Sequence, residues 1–179
     1  TKTKIGNEML LMDVGAEYGN YNADMTRCVP VSGKFSPRQA EVYNAVLRVM
    51  NAATELLQPG VMMHEYHRQV GELMTKELID LKLITTEDVK NENKEWPAYK
   101  KYFMHGTSHF LGLDVHDVGN WAIPIQEGNV FTVEPGIYIR EENLGIRIEN
   151  NIVIKKGGNI NMFKDFPITV EEIEAAMAK

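Results

Sequence analysis

The chain has a single cysteine, Cys28, so no internal disulfide can staple it, which fits a reducing compartment. No apolar run approaches the roughly 18 residues that a transmembrane helix requires, so no membrane span is expected. No block of lysine and arginine occurs, and the formal net charge of −6 repels a polyanion, which argues against nucleic acid as a partner. No secretory leader is expected, and a cytoplasmic location is. The opening Thr1-Lys2-Thr3-Lys4 does not look like a natural start, however, and reads as the edge of a trimmed piece. What remains is ordinary globular material: 179 residues and 20.3 kDa, 44% hydrophobic and 25% charged, enough for one domain with a sizeable core.

Histidine is also scarce, with five in the chain, yet His105, His109 and His116 fall within the stretch Met104–Asp117, MHGTSHFLGLDVHD. Imidazole is a good ligand for borderline transition metals and the side chain best suited to moving protons near pH 7. Three scattered surface or structural histidines would give the same count, so the acidic residues have to decide. Met9 to Val31 reads as a β-hairpin with a Gly/Asn-rich turn over about Gly15 to Asn22. A reversal centred between Tyr18 and Gly19 sets Asp13 opposite Asp24. Asn129 to Ile139 and Leu144 to Ile154 read as a second hairpin, interrupted at Pro135-Gly136. Centring that reversal between Glu141 and Glu142 opposes Glu134 and Glu149. Like charges directly opposed on one sheet face repel, and a bound cation supplies a reason to keep them there.

Helices are expected elsewhere. Ser36-Pro37-Arg38-Gln39 is a capping-box start to an apolar stripe of Val42, Val46, Val49, Ala53 and Leu56, stopped by Pro59-Gly60. A second helix is expected from about Met63 to Leu83, with Val70, Leu73, Met74, Leu78 and Leu81 inward and His64 and His67 on the surface. Residues 85–101 read as an exposed connection with a short helical turn. Thr169 and Glu172 form a capping box for a short C-terminal helix.

Four carboxylates and one imidazole can hold two divalent ions, and imidazole disfavours a pure magnesium site. Two metals roughly 3.5–4 Å apart support hydrolysis at a polarised carbonyl. The four acids alone could equally be structural or bind a single ion.

Here a resemblance becomes specific. The segments DVGAEYGNYNADMTR, HGTSHFLGLDVHDVG, FTVEPGIY and GIRIENNIVI closely resemble the catalytic domain of the aminopeptidase P and prolidase family. These are the pita-bread metallopeptidases, which also include methionine aminopeptidases and the non-peptidase creatinases. The resemblance spans nearly the whole chain and implies an α+β pita-bread fold: a curved, mostly antiparallel sheet with helices on its outer face. It implies that residues 1–179 are a partial catalytic domain, incomplete at the N-terminus, so that a homo-oligomer or a further N-terminal portion is expected to cover the open edge. The implied metal ligands are Asp13, Asp24, His109, Glu134 and Glu149, with Asp24 and Glu149 bridging two divalent ions, manganese first and cobalt or zinc next. Glu134 is also the implied proton acceptor from the nucleophilic water. His116 is implied to position substrate and transfer protons, and His105 to be a substrate-side histidine of smaller effect. Arg147 lies two residues before Glu149, hence on its sheet face, and is expected to hold site carboxylates, with Arg27 a weaker candidate.

The implied reaction is hydrolysis of the Xaa-Pro bond at the N-terminus of peptides with proline second. The alternatives are an Xaa-Pro dipeptidase with the same ligands, or an inactive metal-binding fragment. Two departures from the family pattern stand out. A further substrate-side histidine ahead of Asp13 falls before Thr1, and Asn150 stands where an aspartate is common.

Overall fold

Two hairpins and a pair of helices frame residues 6–178, which the computed structural model describes. In the first hairpin, β1 (Met9–Val14) pairs antiparallel with β4 (Met25–Pro30), and a smaller ladder of β2 (Glu17–Tyr18) with β3 (Tyr21–Asn22) forms its tip. The register departs from expectation: Asp13 lies opposite Thr26, not Asp24. The turn explains why. Tyr18 pairs with Tyr21, leaving Gly19 and Asn20 as a two-residue loop with φ of +61° and +64°. Such a turn needs left-handed backbone at both central positions, which Gly and Asn accept and tyrosine resists. Moving the centre by one residue moves the partner by two, so parity survives and Asp24, just ahead of β4, keeps the face of Thr26. Between the two ladders a Cβ on Gly15 would sit 1.9 Å from the Ala23 carbonyl oxygen, so only glycine allows this approach.

The capping box expected at Ser36 starts α1 (Pro37–Leu56), with Ser36 Oγ accepting from Gln39 N and Gln39 Oε1 accepting from Ser36 N. Its stripe of Val42, Val46, Val49 and Ala53 is fully buried. The second helix, α2 (Met63–Asp80), ends earlier than the apolar pattern suggests. Lys82 takes φ of +59°, and the N–H groups of Leu83 and Ile84 fold back onto Leu78 O. His64 is exposed, but His67 is not the surface residue expected. Its ring packs near Tyr66, and its Nδ1 lies 3.5 Å from the Thr107 N–H. A short α3 (Thr86–Lys90) and a 3₁₀ turn (Ala98–Lys101) occupy the polar connection.

The second hairpin keeps its predicted register. β6 (Gly136–Ile139) pairs with β7 (Leu144–Arg147), Gly136 opposite Arg147; β5 (Val130–Val133) pairs with β8 (Asn150–Val153), Val133 opposite Asn150. Both ladders share one register, so Glu134 and Glu149 face each other in the gap between them. Proline has no N–H to give a ladder, and here Pro135 only accepts, from Ile148 N at 3.3 Å. A short β9 (Ile160–Asn161) extends the sheet beside β8, and α4 (Val170–Met177) begins at the expected Thr169–Glu172 box.

Alternation sets the two faces of this sheet. Ile146, Ile148, Ile152 and Ile154 join the core formed with α1 and α2, so Arg147 and Glu149 point the other way. The two hairpins are tied by Glu149 N to Thr26 O at 3.1 Å and by Asn151 Nδ2 to Asp24 O at 2.6 Å. Among the described residues no helix is long and apolar enough to cross a membrane.

Candidate metal centre

The histidine segment forms no strand of its own but runs beside β5. Glu134 N donates to Thr107 O at 2.8 Å, Thr132 N to His109 O at 3.1 Å, and Leu111 N to Val130 O at 3.2 Å. These bonds place His109 beside Glu134, while the inter-hairpin ties bring Asp24 to Glu149. Asp24, His109 and Glu149 each direct a ligand atom into one small volume, all three within 4.8 Å of one another. Glu134 flanks this triad, with Oε1 3.6 Å from His109 Nε2 and Oε2 3.9 Å from His105 Nδ1.

The donor set fits a cation. His109 Nδ1 lies 2.9 Å from Phe110 O, a carbonyl that can only accept, so the proton sits on Nδ1 and the Nε2 lone pair faces Asp24 and Glu134 at 3.5 and 3.6 Å. Glu149 is buried; burial, and then the charges of Glu134, Asp24 and Asp13, push its carboxyl up to about 8 against the hydrogen bond from Thr26. Burial likewise lifts Glu134 to about 7, opposed by His109 and Arg147. Burial weighs most on His109 and favours its neutral form, but its bonds to Asp24 and Phe110 O and the charge of Glu134 together raise its pKa. Acids gathered in this way are costly to ionise without a positive partner.

Asp13 stands at the edge of this group. Its side chain is half exposed and its Oδ2 accepts from Arg147 Nη2 at 2.5 Å, while burial and the neighbouring Asp24 raise its pKa. Arg147 also donates through Nε to Thr26 Oγ1 at 3.1 Å and through Nη1 to Tyr138 Oη at 3.3 Å. His105 bonds Tyr138 Oη through Nε2 at 2.8 Å. The exposed His116 sets its ring edge-on to His109, centroids 4.3 Å apart. Arg27 lies outside the site: it is buried and bonds Pro167 O, Thr26 O, Glu149 O and Asn150 Oδ1.

Three participants escaped the sequence reading. Thr26 donates to Glu149 Oε2 at 2.6 Å, Thr132 Oγ1 accepts from His109 N at 3.2 Å, and Tyr138 links His105 to Arg147. A period-two count from Asp24, and another through Glu134, would have put all three on the site faces.

A model of metallopeptidase family M24 matches residues 1–156. The chain belongs to this family. Xaa-Pro aminopeptidase of Haemophilus influenzae is 38% identical over 95% of the chain and 42% of that protein; human Xaa-Pro aminopeptidase 3 is 36% identical over 93% and 34%. Among solved structures, Pseudomonas aeruginosa aminopeptidase PepP superposes with a TM-score of 0.89 at 36% identity, covering 98% of this chain and 43% of that one. Zinc-substituted Escherichia coli aminopeptidase P in complex with product gives 0.85 at 38%, covering 95% and 41%. This chain thus has the α+β pita-bread fold and spans less than half the length of these relatives.

Proposed function

We propose that this chain is part of the catalytic domain of a metal-dependent Xaa-Pro aminopeptidase, hydrolysing the bond before a proline at the second position of a peptide. The observation that carries the reading is the convergence of Asp24, His109 and Glu149, with Glu134 at its side, inside a family whose similar members are Xaa-Pro aminopeptidases. Asp13, Asp24, His109, Glu134 and Glu149 would hold two divalent ions, manganese first. Once bound, such ions supply Lewis acidity and an activated water.

The protein's own groups divide the remaining work. Glu134, buried and lifted to about 7, is suited to accept a proton from water and return it to the proline nitrogen as that bond breaks. His116, exposed beside His109, would hold the scissile carbonyl and handle protons at the leaving group. The Tyr138 hydroxyl orients His105 beside Glu134. Arg147 holds Asp13 and Thr26, and Thr26 in turn holds Glu149.

The single buried thiol, Cys28, supports a cytoplasmic location. The outer side of β1, with Leu10, Met12 and Val14 exposed, supports a homo-oligomer. The test is metal content per chain together with a manganese-supplemented assay on an Xaa-Pro peptide. Two ions and proline-dependent turnover are expected, and H109A should lose both. Metal-independent cleavage, or full metal retention in H109A, would refute the assignment.

A further inference from the structure

We propose that Asp117 is a positioning residue for His116, its carboxylate closing the loop that holds the His116 imidazole against the ring of His109. The part of His116 in the reaction rests on the function proposed above; the loop geometry stands without it.

The loop runs from Phe110 to Val118, and Leu113, Asp114, Val115, His116 and Val118 are all exposed. With so little side-chain burial, polar contacts have to hold it. Its neck is closed by Asp117 N donating to Phe110 O at 3.0 Å. The same carbonyl lies 2.9 Å from His109 Nδ1, so one acceptor serves both the loop and the histidine of the metal triad. Inside the loop, Asp117 Oδ2 accepts from Leu113 N at 3.0 Å and Oδ1 from Val118 N at 2.8 Å. The fit is tight: a Cβ on Gly112 would lie 2.1 Å from Asp117 Oδ2, so glycine there leaves room for the carboxylate.

The outgoing arm has separate anchors. Tyr21 Oη donates to Leu111 O at 2.9 Å, and Asn22 donates through its backbone N to Gly112 O at 2.8 Å and through Nδ2 to Leu113 O at 2.7 Å. These moor residues 111–113 to the tip of the first hairpin. The return arm, which carries His116, is tied across the loop by Asp117. Losing the carboxylate leaves that arm held only at its neck, by the backbone bond from residue 117 to Phe110 O, while the outgoing arm stays moored. The His116 ring then leaves its place 4.3 Å from His109.

The test uses the whole chain with isotope-labelled histidine, stripped of metal by chelation. The ring protons of His116 and His109 should show a mutual nuclear Overhauser effect in the wild type. That signal should vanish in D117A and in G112A, and weaken in the isosteric D117N, with circular dichroism unchanged and metal uptake on reloading intact. With metal and an Xaa-Pro peptide, kcat should fall about 100-fold in D117A at near-constant KM, as expected when a reacting group is misplaced by about 1 Å. D117A should add almost nothing in an H116A background, because both changes remove one effect.

Persistence of the ring-to-ring signal in D117A and D117N would overturn the proposal. So would loss of metal uptake in D117N, or an undiminished kcat effect in the H116A background. A wild type that shows no Xaa-Pro turnover, but whose signal is lost in D117A, would sink the proposed reaction and leave the positioning role standing.

Discussion

Replacing Glu149 by Gln should stabilise the metal-free protein in base while abolishing its response to metal. Glu149 is 2% exposed and accepts from Thr26 Oγ1 at 2.6 Å. Its ordinary value is 4.5, and burial first, then the nearby carboxylates, lift it to about 8 in the fold. The unfolded chain therefore releases this proton above 4.5 while the folded chain keeps it to about 8. Across that window the native state binds more protons, so stability falls as pH rises. At about 1.4 kcal/mol per tenfold change, the full effect is on the order of 5 kcal/mol once Glu149 is ionised. For a chain of this size that is about 15 °C in melting temperature.

Glutamine keeps the shape and an acceptor for Thr26 but cannot ionise. Thermal melts in chelator should then show E149Q about equal to wild type near pH 5 and well above it near pH 9. Glu134, lifted to about 7, and Asp13 and His109, both raised, add losses of the same sign with rising pH. His67 and His105 act oppositely. Burial lowers both below 6.5, so their contribution is lost as pH falls through their depressed values and the metal-free optimum lies between the two limbs. Added manganese should raise the wild-type melting temperature most in base and leave E149Q nearly unmoved. An E149Q that melts at or below wild type near pH 9 without metal would refute the reasoning.

Tyr66 Oη of α2 and Ser108 Oγ of the histidine segment lie 2.9 Å apart in a buried contact. Y66F should cost about 1–2 kcal/mol in urea denaturation, because Ser108 loses its partner; an unchanged midpoint would show that water satisfies it. Asn150 presents a different case. Its Nδ2 is buried without a partner and its Oδ1 accepts from the buried Arg27 at 2.8 Å, with no carboxylate paired to Arg27 among the described residues. N150D should add about 1 kcal/mol near neutral pH by turning this contact into an ion pair with Arg27; a lower melting temperature would mean repulsion from Glu149 outweighs it.

Local chemistry was legible where one physical effect dominated. Ser36, Thr169 and their partners three residues on could only cap helices, and both did. The second hairpin kept its register through Pro135 because the break takes two residues from each arm, Glu134 and Pro135 against Ile148 and Glu149. In the first hairpin two signals conflict. Symmetry of the aspartates favoured a centre between Tyr18 and Gly19, whereas backbone sterics required Gly19 and Asn20 as the central pair. His67 departs from expectation for a related reason: a helix pattern says which stripe faces the sheet, not which loop crosses it.

The sequence by itself determined the kinds of donor, their order along the chain and the strand faces that carry Glu134 and Glu149. Ligand chemistry and period-two alternation are local properties, readable from a few residues. Only the tertiary structure decided that Asp24, His109 and Glu149 converge, because that depends on Asn151 tying Asp24 and on Thr132 docking the histidine segment. It also decided that Asp13 is held by Arg147 from a strand far along the chain, and that Asp117 lies beneath Gly112. Those are contacts between elements, and their geometry comes from packing the two hairpins against one core.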